Sequence, residues 1–379
     1  MAAQPSSSRR TFCAEASAGL ALLTLPSMAP AHSQTDNASG SLREAPSRIA
    51  SAFMTNCSVP GMSVAIARHQ KIIYEQAFGY ADLKKKEPVT GSSLFRIASV
   101  TKPITSVAIF SLIEQQRLSL DAKVFGPVLG TTYGRPPYDA GVERITIEHL
   151  LTHTCGGWDK NHDDPMFQNP DMDHRALTSA TLKNRPLDFA PGTHYAYSNF
   201  GFCVPGRVIE KVTGTGYADY VREGILKRCE IDGMRIAGNG AGKRAANEVR
   251  YYDQEGGDPY GLNVSRLDSA GGWLATPRDM VRFAMHVNGF PADSNILKPE
   301  TIAVTTTGTT ANPHYAKGWE VNQHGRWHIG DLQGSSVLAC TSTGYCWAAF
   351  MNTRRMKPDI RLIFDRTMWD MVRSVSGSS

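Results

Sequence analysis

The pattern of apolar and polar positions near both ends of the chain predicts β-strands. Residues 61–82 (GMSVAIARHQKIIYEQAFGYAD) contain two runs rich in β-branched and aromatic residues on either side of a polar His-Gln-Lys step, which is typical of a β-hairpin. Similar runs occur between residues 318 and 352, with the sequences GWEVNQHGRWHIG, SSVLACTS and YCWAAFMN. We expect the strands from the two ends of the chain to pair in one antiparallel sheet.

Between and around these strands the sequence predicts helices. Helices are expected over residues 42–55 and 100–116, and the C-terminal segment RLIFDRTMWDMVRSV repeats apolar residues with helical spacing. The TPRD sequence at residues 276–279 offers an N-cap threonine, a proline at the first helical position and an acidic residue at the third. A further helix is therefore expected there, to about residue 287.

Helices and irregular loops dominate residues 118–263, between the two groups of strands. The predicted fold class is therefore α+β, an α/β sandwich in which an antiparallel sheet from the N- and C-terminal segments is flanked by helices. Residues 118–263 would form a mainly helical inserted lobe. Catalytic sites tend to lie in clefts, so we expect the active site between the sheet and this lobe.

Length and composition fit one globular core with an inserted subregion. The chain has 379 residues, of which 41% are hydrophobic and 20% are charged. Its formal net charge of +5 is spread along the sequence, and the densest cluster, residues 84–86, is too short to mark a nucleic-acid-binding stripe. No uninterrupted apolar stretch reaches the roughly 18 residues that a membrane-spanning helix needs. We therefore expect neither nucleic-acid binding nor a membrane span.

The N-terminus carries the features of an export signal. The sequence SRRTF at residues 8–12 precedes a short apolar stretch at 19–25 and the small residues APA at 29–31. This order resembles a bacterial twin-arginine signal, so residues 1–31 are predicted to direct the protein to the periplasm or the exterior, followed by a linker over 32–42. A disordered basic tail is the alternative.

The cysteine count is compatible with disulfides in an exported protein. Of the seven cysteines, Cys13 lies in the predicted signal, which leaves an even number. Cys340 and Cys346 are the best candidates for a bridge, because strand-like runs flank the TSTGY turn between them. Buried free thiols are the alternative.

The candidate chemistry begins where the segment LFRIAS meets the predicted helix. Ser99 and Lys102 are three positions apart, which places them on one helical face, with Ser99 in the first turn where backbone N–H groups are unpaired. A serine hydroxyl is a poor nucleophile without a base, whereas an amine in a desolvated pocket can lose its charge near neutral pH and accept the hydroxyl proton. A Ser-x-x-Lys pattern is expected by chance about once in such a chain, so a helix cap and a solvated lysine are the alternative.

Two further short motifs change this judgement. YSN at residues 197–199 and HIG at 328–330 each occur once, as does SVTK at 99–102. Their order and wide spacing resemble the serine acyl-transferase superfamily of class C β-lactamases, DD-peptidases and related esterases. Longer blocks share the resemblance, including LFRIASVTKPITSVAIFSLIEQQRLSLDAKV, ITIEHLLTHTCGG, PGTHYAYSNFGF and AGGWLATPRDMVRFA. The resemblance covers roughly residues 43–370 and implies a serine hydrolase domain over residues 43–375.

The resemblance implies a role for each motif residue. Ser99 would be the nucleophile, Lys102 its activating amine, and Tyr197 a proton shuttle whose phenolate-like character is maintained by Lys102. Asn199 would bind the substrate amide. The backbone N–H groups of Ser99 and Asp331 would form the oxyanion hole. The reaction that this arrangement implies needs no cofactor and no metal.

The third motif departs from the lysine that efficient β-lactamases of this superfamily carry. His328 stands in that place before Gly330, and a histidine is mostly neutral near pH 7, so it supplies no permanent charge for a substrate carboxylate. Asp331 adds a negative charge beside it. We expect these three residues to bind substrate and to disfavour anionic β-lactams. Arg354 and Arg355 are either a replacement carboxylate clamp or surface arginines.

The predicted function is an exported serine hydrolase that acts on a small ester, amide or peptide substrate through a covalent acyl-enzyme. A DD-carboxypeptidase or a β-lactamase acting on cell-wall-like ligands is one alternative. A non-hydrolysing acyl-binding receptor or scaffold is another. Deacylation distinguishes these classes, because an enzyme releases product repeatedly and a receptor stops after one equivalent.

Two groups of polar residues resemble metal sites without their full patterns. His149 and His153 are four positions apart, but the zinc-peptidase pattern needs a glutamate after the first histidine, and Leu150 stands there. The segment WDKNHDDP at residues 158–165 lacks a calcium-loop spacing and is expected to be a cleft-side loop. We therefore predict no metal site.

Overall fold

The computed structural model describes residues 40–134, 136–138, 141–158, 163–290, 295–356 and 359–376. The predicted signal and residues 32–39 of the predicted linker lie outside these ranges, as do residues 159–162 of the expected cleft-side loop. In the part of the chain that the structure describes, no helix combines the length and the apolar character needed to cross a membrane.

The described residues alternate between helices and short strands. The α-helices are α1 (Gly40–Cys57), α2 (Thr101–Glu114), α3 (Ile147–Leu151), α4 (His174–Asn184), α5 (Asn199–Thr213), α6 (Tyr217–Val221), α7 (Asp268–Gly271), α8 (Pro277–Met285), α9 (Pro299–Thr305) and α10 (Ile360–Ser376). The strands are β1 (Gly61–Arg68), β2 (Lys71–Asp82), β3 (Glu87–Pro88), β4 (Phe95–Arg96), β5 (Arg235–Ile236), β6 (Tyr252–Asp253), β7 (Trp273–Ala275), β8 (Glu320–Asn322), β9 (Gly325–Asp331), β10 (Ser335–Thr341), β11 (Tyr345–Met351) and β12 (Thr353–Arg354).

The main sheet joins the two ends of the chain. Its seven strands lie in the order β3-β2-β1-β11-β10-β9-β8, and all neighbours are antiparallel. β1 pairs with β2 through the predicted hairpin, where His69 and Gln70 adopt φ of 45° and 65°, the left-handed pair of a two-residue turn. On its other side β1 pairs with β11. The predicted antiparallel sheet from the N- and C-terminal segments is confirmed.

Side-chain alternation along β1 divides the core between the two faces of the sheet. Met62, Val64 and Ile66 belong to a cluster with residues of α1 and α10, where the rings of Phe53 and Phe364 stack with 5.3 Å between centroids. The alternate positions of β1 face a larger cluster that contains residues of α2, α5 and α8. Helices thus cover both faces, which confirms the predicted sandwich architecture.

α2 runs through the larger cluster and supports the strand before it. Every residue from Thr101 to Leu112 is buried, so this helix is packed on all sides. The short strand β4 precedes it and pairs with β7 in a separate sheet of order β4-β7-β5. A helix held on all sides gives the segment between β4 and α2 a rigid base.

The predicted start of α8 is confirmed. Thr276 and Asp279 form a capping box, in which the Thr276 side chain accepts from the Asp279 N–H and the Asp279 carboxylate accepts from the Thr276 N–H.

The predicted disulfide is not found. Cys340 and Cys346 lie directly opposite each other on β10 and β11, but both are buried free thiols, and Asn288 Nδ2 donates to Cys346 Sγ at 3.7 Å.

Candidate active site

Ser99 lies in a tight turn between β4 and α2. A 3-10 turn spans residues 98–100 and α2 follows it directly, so Ser99 precedes the α-helix instead of lying in its first turn as predicted. Ala98 adopts a φ of 47°, a left-handed conformation that costs a non-glycine residue about 1–2 kcal/mol. Tertiary contacts hold the turn in place, since Ser336 Oγ donates a hydrogen bond to the Ile97 carbonyl at 2.7 Å.

β9 passes directly over this turn at Gly330. A Cβ atom on Gly330 would lie 2.2 Å from the Ile97 carbonyl oxygen and 3.1 Å from Ala98 Cβ. The close approach therefore requires glycine at this position of the HIG motif. It also brings the C-terminal end of β9 and Ser99 to the same cleft.

Lys102 is buried beneath Ser99 and makes three hydrogen bonds. Its Nζ lies 3.0 Å from Ser99 Oγ, and it donates to Asn199 Oδ1 and to the Ala270 carbonyl, each at 2.9 Å. Desolvation lowers the pKa of Lys102 to about 7, although the charge of Asp164 acts in the opposite direction. Neutral and charged amine are therefore both populated near neutral pH.

The three contacts of Lys102 suit a neutral amine. The Ala270 carbonyl and Asn199 Oδ1 can only accept hydrogen bonds, so a neutral amine gives them its two N–H groups. Its lone pair is then directed at the third partner, the Ser99 hydroxyl. In this state Lys102 is placed to accept the Ser99 proton.

Tyr197 makes the second contact to the Ser99 hydroxyl. Its Oη donates to Ser99 Oγ at 2.8 Å, and its ring centroid lies 4.8 Å from Lys102 Nζ. Desolvation raises the pKa of Tyr197 well above its ordinary value, so the phenol keeps its proton. The hydrogen bond to Ser99 and the raised pKa favour a neutral Tyr197 hydroxyl over the phenolate-like character expected from the sequence, and the role of Tyr197 as a proton shuttle stays a prediction.

Asn199 is held by the start of α5. The Asp164 carboxylate accepts the backbone N–H of Asn199 at 2.6 Å and that of Phe200 at 3.1 Å. A negative charge at a helix N-terminus is favourable, and here it orients the first helical residue. Because Asn199 Oδ1 is bonded to Lys102, its amide NH₂ is the group that faces a substrate in the cleft.

β9 is an edge strand where it lines the cleft. β8 pairs with it only as far as Trp327, so in the described part of the chain no strand pairs with the remainder of that edge. Leu332 N–H donates to the Gly334 carbonyl at 3.2 Å, just beyond the paired residues of β9 and β10. In an antiparallel pair every second residue bonds to the neighbouring strand, so the even-numbered residues of β9 direct their N–H and C=O groups toward β10. The odd-numbered Ile329 and Asp331 therefore direct their N–H and C=O groups toward the open edge. This orientation of the Asp331 N–H is the one that the predicted oxyanion hole requires.

His328 is buried on β9, and both of its ring nitrogens have partners. Nδ1 lies 2.8 Å from the Ile329 carbonyl oxygen, and Nε2 lies 3.1 Å from Tyr315 Oη. Burial lowers the pKa of His328 to about 3, with a smaller contribution from Lys102, so the ring is neutral as expected. The ring borders the cleft, but its nitrogens are engaged within the protein instead of facing a substrate as predicted.

Charged side chains pair with one another along one wall of the cleft. Asp331 lies 3.3 Å from Arg354 Nε and 3.5 Å from Arg361 Nη1. Arg361 also contacts Asp359 at 2.8 Å. Of the two interpretations of Arg354, the structure places it in the cleft wall, where Asp331 balances its charge, whereas Arg355 is not among the residues that line the cleft.

The cleft gathers most of the predicted site residues. It has a volume of about 490 Å³ and is lined by Ser99, Tyr197, Asn199, His328 and Asp331, with Lys102 beneath Ser99. These residues come from the turn before α2, the start of α5 and the end of β9. The three motifs, distant in sequence, therefore meet around one hydroxyl group.

Sequence reasoning missed buried residues beside this cleft. Asp164 lies in the segment that the sequence predicts to be a cleft-side loop without giving this residue a role, and Tyr315 lies outside every motif. The sequence pattern pairs His153 only with His149, whereas in the structure its ring packs against the Tyr197 ring, tilted by 35°, with 4.2 Å between centroids. The family resemblance of the segment LLTHTCGG is the one sequence feature that points to a role for His153. Over the described ranges, no group of three or more His, Cys, Asp or Glu side chains is arranged to hold a metal ion.

Known proteins match the sequence of this chain. A family model described as Beta-lactamase matches residues 47–366 of the chain. The chain is 32% identical over 184 residues to penicillin-binding protein 4* of Bacillus subtilis (strain 168), an alignment that covers 46% of this chain and 37% of that protein. It is 34% identical over 214 residues to esterase EstB of Burkholderia gladioli, covering 51% of this chain and 50% of that protein. The alignments therefore span half or less of these curated relatives.

A solved structure shows the same fold. The crystal structure of D-amino acid amidase from Ochrobactrum anthropi SV3, complexed with D-phenylalanine, matches with a TM-score of 0.71 at 21% sequence identity. The match covers 89% of this chain and 99% of that chain. At this level of identity the likeness concerns the fold alone.

Proposed function

Because the chain belongs to the β-lactamase family, we propose that it is a serine hydrolase that acts through a covalent acyl-enzyme on an ester or a small amide. The observation that carries this proposal is the environment of Ser99 Oγ, which lies 3.0 Å from Lys102 Nζ and 2.8 Å from Tyr197 Oη. A hydroxyl between an amine and a phenol has both a base for its own proton and an acid for the leaving group.

Acylation moves one proton from Ser99 to the leaving group. Neutral Lys102 accepts the hydroxyl proton while Oγ attacks the substrate carbonyl carbon. The N–H groups of Ser99 and Asp331 stabilise the resulting oxyanion. Tyr197 donates its proton to the departing oxygen or nitrogen. The Lys102 ammonium then returns a proton to Tyr197. The products are the Ser99 ester and a neutral alcohol or amine.

Deacylation uses the same groups with water in place of the leaving group. Water occupies the position next to Tyr197 and Lys102, loses a proton to this pair and attacks the ester carbonyl. Ser99 Oγ is the leaving group of this step and regains its proton from Lys102. The released acid restores the resting site, so the proposal requires repeated turnover.

The charges of the cleft favour an uncharged substrate. Arg354 and Arg361 are paired with Asp331 and Asp359, so the pairing partners of a substrate carboxylate are already taken. Half-buried Glu320 adds a further acidic group to the same cleft. An anionic β-lactam or peptide carboxylate would have to displace Asp331 from its arginines, whereas an ester or amide without charge would not.

The mouth of the cleft favours an apolar group on that substrate. Phe167 and Leu362, which are 41% and 62% exposed, both line the cleft. Leu267 and Leu332 line it more deeply and are buried. Covering the two exposed side chains removes apolar surface from water, so a hydrophobic acyl or alcohol group gains affinity there.

Intact-mass spectrometry with three compounds tests the proposal. The protein is mixed in parallel with a p-nitrophenyl ester, a cephalosporin and a D-Ala-D-Ala peptide. We expect the ester to add one acyl mass that clears during turnover, and Ser99→Ala to add none. Labelling of Ser99→Ala at the normal rate would refute the nucleophile. Rapid clearance of a cephalosporin or peptide adduct would instead identify a β-lactamase or DD-carboxypeptidase, and an adduct that never clears would identify a receptor.

Export is a separate part of the proposal and rests on the sequence of residues 1–31. Expression of the full chain in a bacterium with a twin-arginine pathway should yield a periplasmic protein that begins after Ala31. A variant in which Arg9 and Arg10 are both replaced by lysine should remain unprocessed in the cytoplasm. Equal export of both proteins would exclude this route.

A further inference from the structure

Three buried aromatic side chains lie behind the cleft and are hydrogen-bonded in series. His153, Tyr315 and His328 are 0%, 2% and 2% exposed. Tyr315 Oη lies 3.1 Å from His153 Nε2 and 3.1 Å from His328 Nε2. The three residues come from the loop after α3, the segment before β8 and the middle of β9. We call them the His-Tyr-His chain.

The outer partners give the His-Tyr-His chain a single direction. Ser198 N–H can only donate, and it lies 3.1 Å from His153 Nδ1, so a neutral His153 carries its proton on Nε2. The Ile329 carbonyl can only accept, and it lies 2.8 Å from His328 Nδ1, so His328 carries its proton there. Tyr315 has one proton; it accepts from His153 and donates to His328.

Burial keeps both histidines in these neutral forms. The pKa of His153 lies well below its ordinary value, and that of His328 is lowered to about 3. Neither ring is charged in the pH range where neutral Lys102 becomes available.

One end of the His-Tyr-His chain brackets Tyr197. His153 O accepts the Ala196 N–H at 2.8 Å, and His153 Nδ1 accepts the Ser198 N–H at 3.1 Å. The two hydrogen bonds therefore involve the residues on either side of Tyr197. The His153 ring also packs against the Tyr197 ring, tilted by 35°, with 4.2 Å between the ring centroids. His153 holds a φ of 55°, in the left-handed region, and in this conformation its carbonyl and its ring both reach the same segment.

The other end reaches the open edge of β9. His328 Nδ1–H satisfies the Ile329 carbonyl, which faces that edge two residues before Asp331. The Asp331 N–H is the proposed oxyanion donor. The His-Tyr-His chain therefore connects the wall of the cleft that carries the acid with the wall that carries the oxyanion hole.

We propose that His153, Tyr315 and His328 are positioning residues that hold the Tyr197 hydroxyl and the Asp331 N–H at a constant spacing around Ser99. This inference rests on the proposed acyl transfer and assigns roles to residues beyond the three motifs. It gives His328 a function through Tyr315 and Ile329 instead of through a hydrogen bond to substrate. A loss of the central hydroxyl would loosen Tyr197 without removing any group that touches the substrate.

Tyr315→Phe tests the proposal on two esters of the same acid, a p-nitrophenyl ester and an ethyl ester. Ethoxide needs a proton to depart far more than nitrophenolate does, so misplacement of Tyr197 should penalise the ethyl ester more. We expect kcat/KM to fall about tenfold for the nitrophenyl ester and about a hundredfold for the ethyl ester. A general loss of stability would lower both values by the same factor.

Tyr74→Phe is the matched control. Tyr74 is 4% exposed and also donates through its hydroxyl, to Gln76 Oε1 at 2.9 Å, but it lies in the cluster on the opposite face of the sheet. Both esters should keep kcat/KM values within about twofold of the wild type in this variant. Equal losses on both esters in Tyr315→Phe, or no loss, would overturn the proposal.

Nitrogen-15 NMR of the histidine side chains in the wild-type protein tests the direction of the hydrogen bonds in the His-Tyr-His chain without any variant. We expect the proton on Nε2 of His153 and on Nδ1 of His328. The same tautomer in both rings, or an imidazolium at pH 7, would overturn the proposal even if Tyr315→Phe does not fold. Failure of the acyl-transfer proposal is distinguishable, because there the wild type would form no adduct that depends on Ser99.

Discussion

At the scale of single residues, the free-energy penalty for burying the Lys102 charge is what makes this amine available as the proposed base. Lys102 has no exposed surface, and its partners Ser99, Asn199 and Ala270 contribute uncharged groups. Hydrogen bonds therefore hold the amine in place without the ion pair that would keep it protonated. The spacing of Ser99 and Lys102 is local and could be predicted from the sequence. The Ala270 carbonyl lies 168 positions from Lys102 and could not.

The pKa of Lys102 predicts the pH dependence of acylation. The reaction requires the neutral amine, and its fraction increases as pH rises through the pKa of about 7. We therefore expect kcat/KM for an uncharged ester to rise with pH and to level off above this value. The measurement is a pH–rate profile from about pH 5 to about pH 9 with a substrate that does not titrate. A rate that falls as pH rises through neutrality would contradict the role of Lys102.

The charge pairs of the cleft predict how substrate preference can be changed. Asp331→Asn should release Arg354, whereas Arg361 keeps its ion pair with Asp359, so KM for an ester that carries a carboxylate should fall about fivefold while KM for its uncharged analogue stays constant. Added salt should weaken the gain. Asp359→Asn leaves both Arg354 and Arg361 with Asp331 as a partner and should give a smaller effect. If both esters respond equally to Asp331→Asn, the pairs do not set the preference for uncharged substrates.

At the scale of secondary-structure elements, helix ends position the proposed catalytic groups. α5 starts at Asn199 because Ser198 Oγ accepts the Gly201 N–H at 2.9 Å and Asp164 accepts the N–H groups of Asn199 and Phe200. Local signals of this kind made the start of α8 predictable from the TPRD sequence. Residues 217–229 (YADYVREGILKRC), within the mainly helical region predicted from the sequence, are less predictable in detail, because after α6 the chain changes to a π-helical turn over Arg222–Leu226. That turn buries Ile225 and Leu226, a tertiary requirement that a periodic pattern does not encode.

The cap of α5 predicts a shift of the pH profile. The negative charge of Asp164 raises the pKa of Lys102, so Asp164→Asn should lower that pKa and move the acid limb of the profile to lower pH. Loss of the charged cap should also reduce the free energy of unfolding by about 1 kcal/mol, measured by chemical denaturation. Asp173→Asn is the control, because Asp173 caps α4 by accepting the Ala176 N–H at 2.7 Å. If the acid limb of the pH–rate profile moves equally in Asp164→Asn and Asp173→Asn, the charge of Asp164 does not set the pKa of Lys102.

At the scale of the whole molecule, the main sheet separates the helices that pack on its far face from the helices that surround the cleft. α1 and α10 pack on one face, and the helices around the cleft pack on the other. Alternation along the strands made it possible to predict that both chain ends share one sheet. The order β3-β2-β1-β11-β10-β9-β8 could not be read from alternation, because that pattern does not specify which strands become neighbours.

Two phenylalanines on opposite faces test this separation. Phe364→Ala and Phe202→Ala each remove a buried ring and should each lower the free energy of unfolding by about 3–5 kcal/mol. The Phe202 ring centroid lies 5.5 Å from Lys102 Nζ, so its removal should admit solvent, raise the pKa of Lys102 and move the acid limb to higher pH. Phe364→Ala should leave that limb in place. Thermal melts and pH–rate profiles below the melting temperature would show both effects, and equal limb shifts would contradict the separation.

The central claim is that Ser99 carries the acyl group during turnover. Its most direct test is rapid acid quenching of the wild type with a slowly hydrolysed ester, followed by proteolysis and mass spectrometry of the peptides. We predict one acyl group, on the Ser99 hydroxyl, that decays at the rate of product release. Steady turnover with the acyl group on another residue, or with no acylated peptide at any time, would contradict the account.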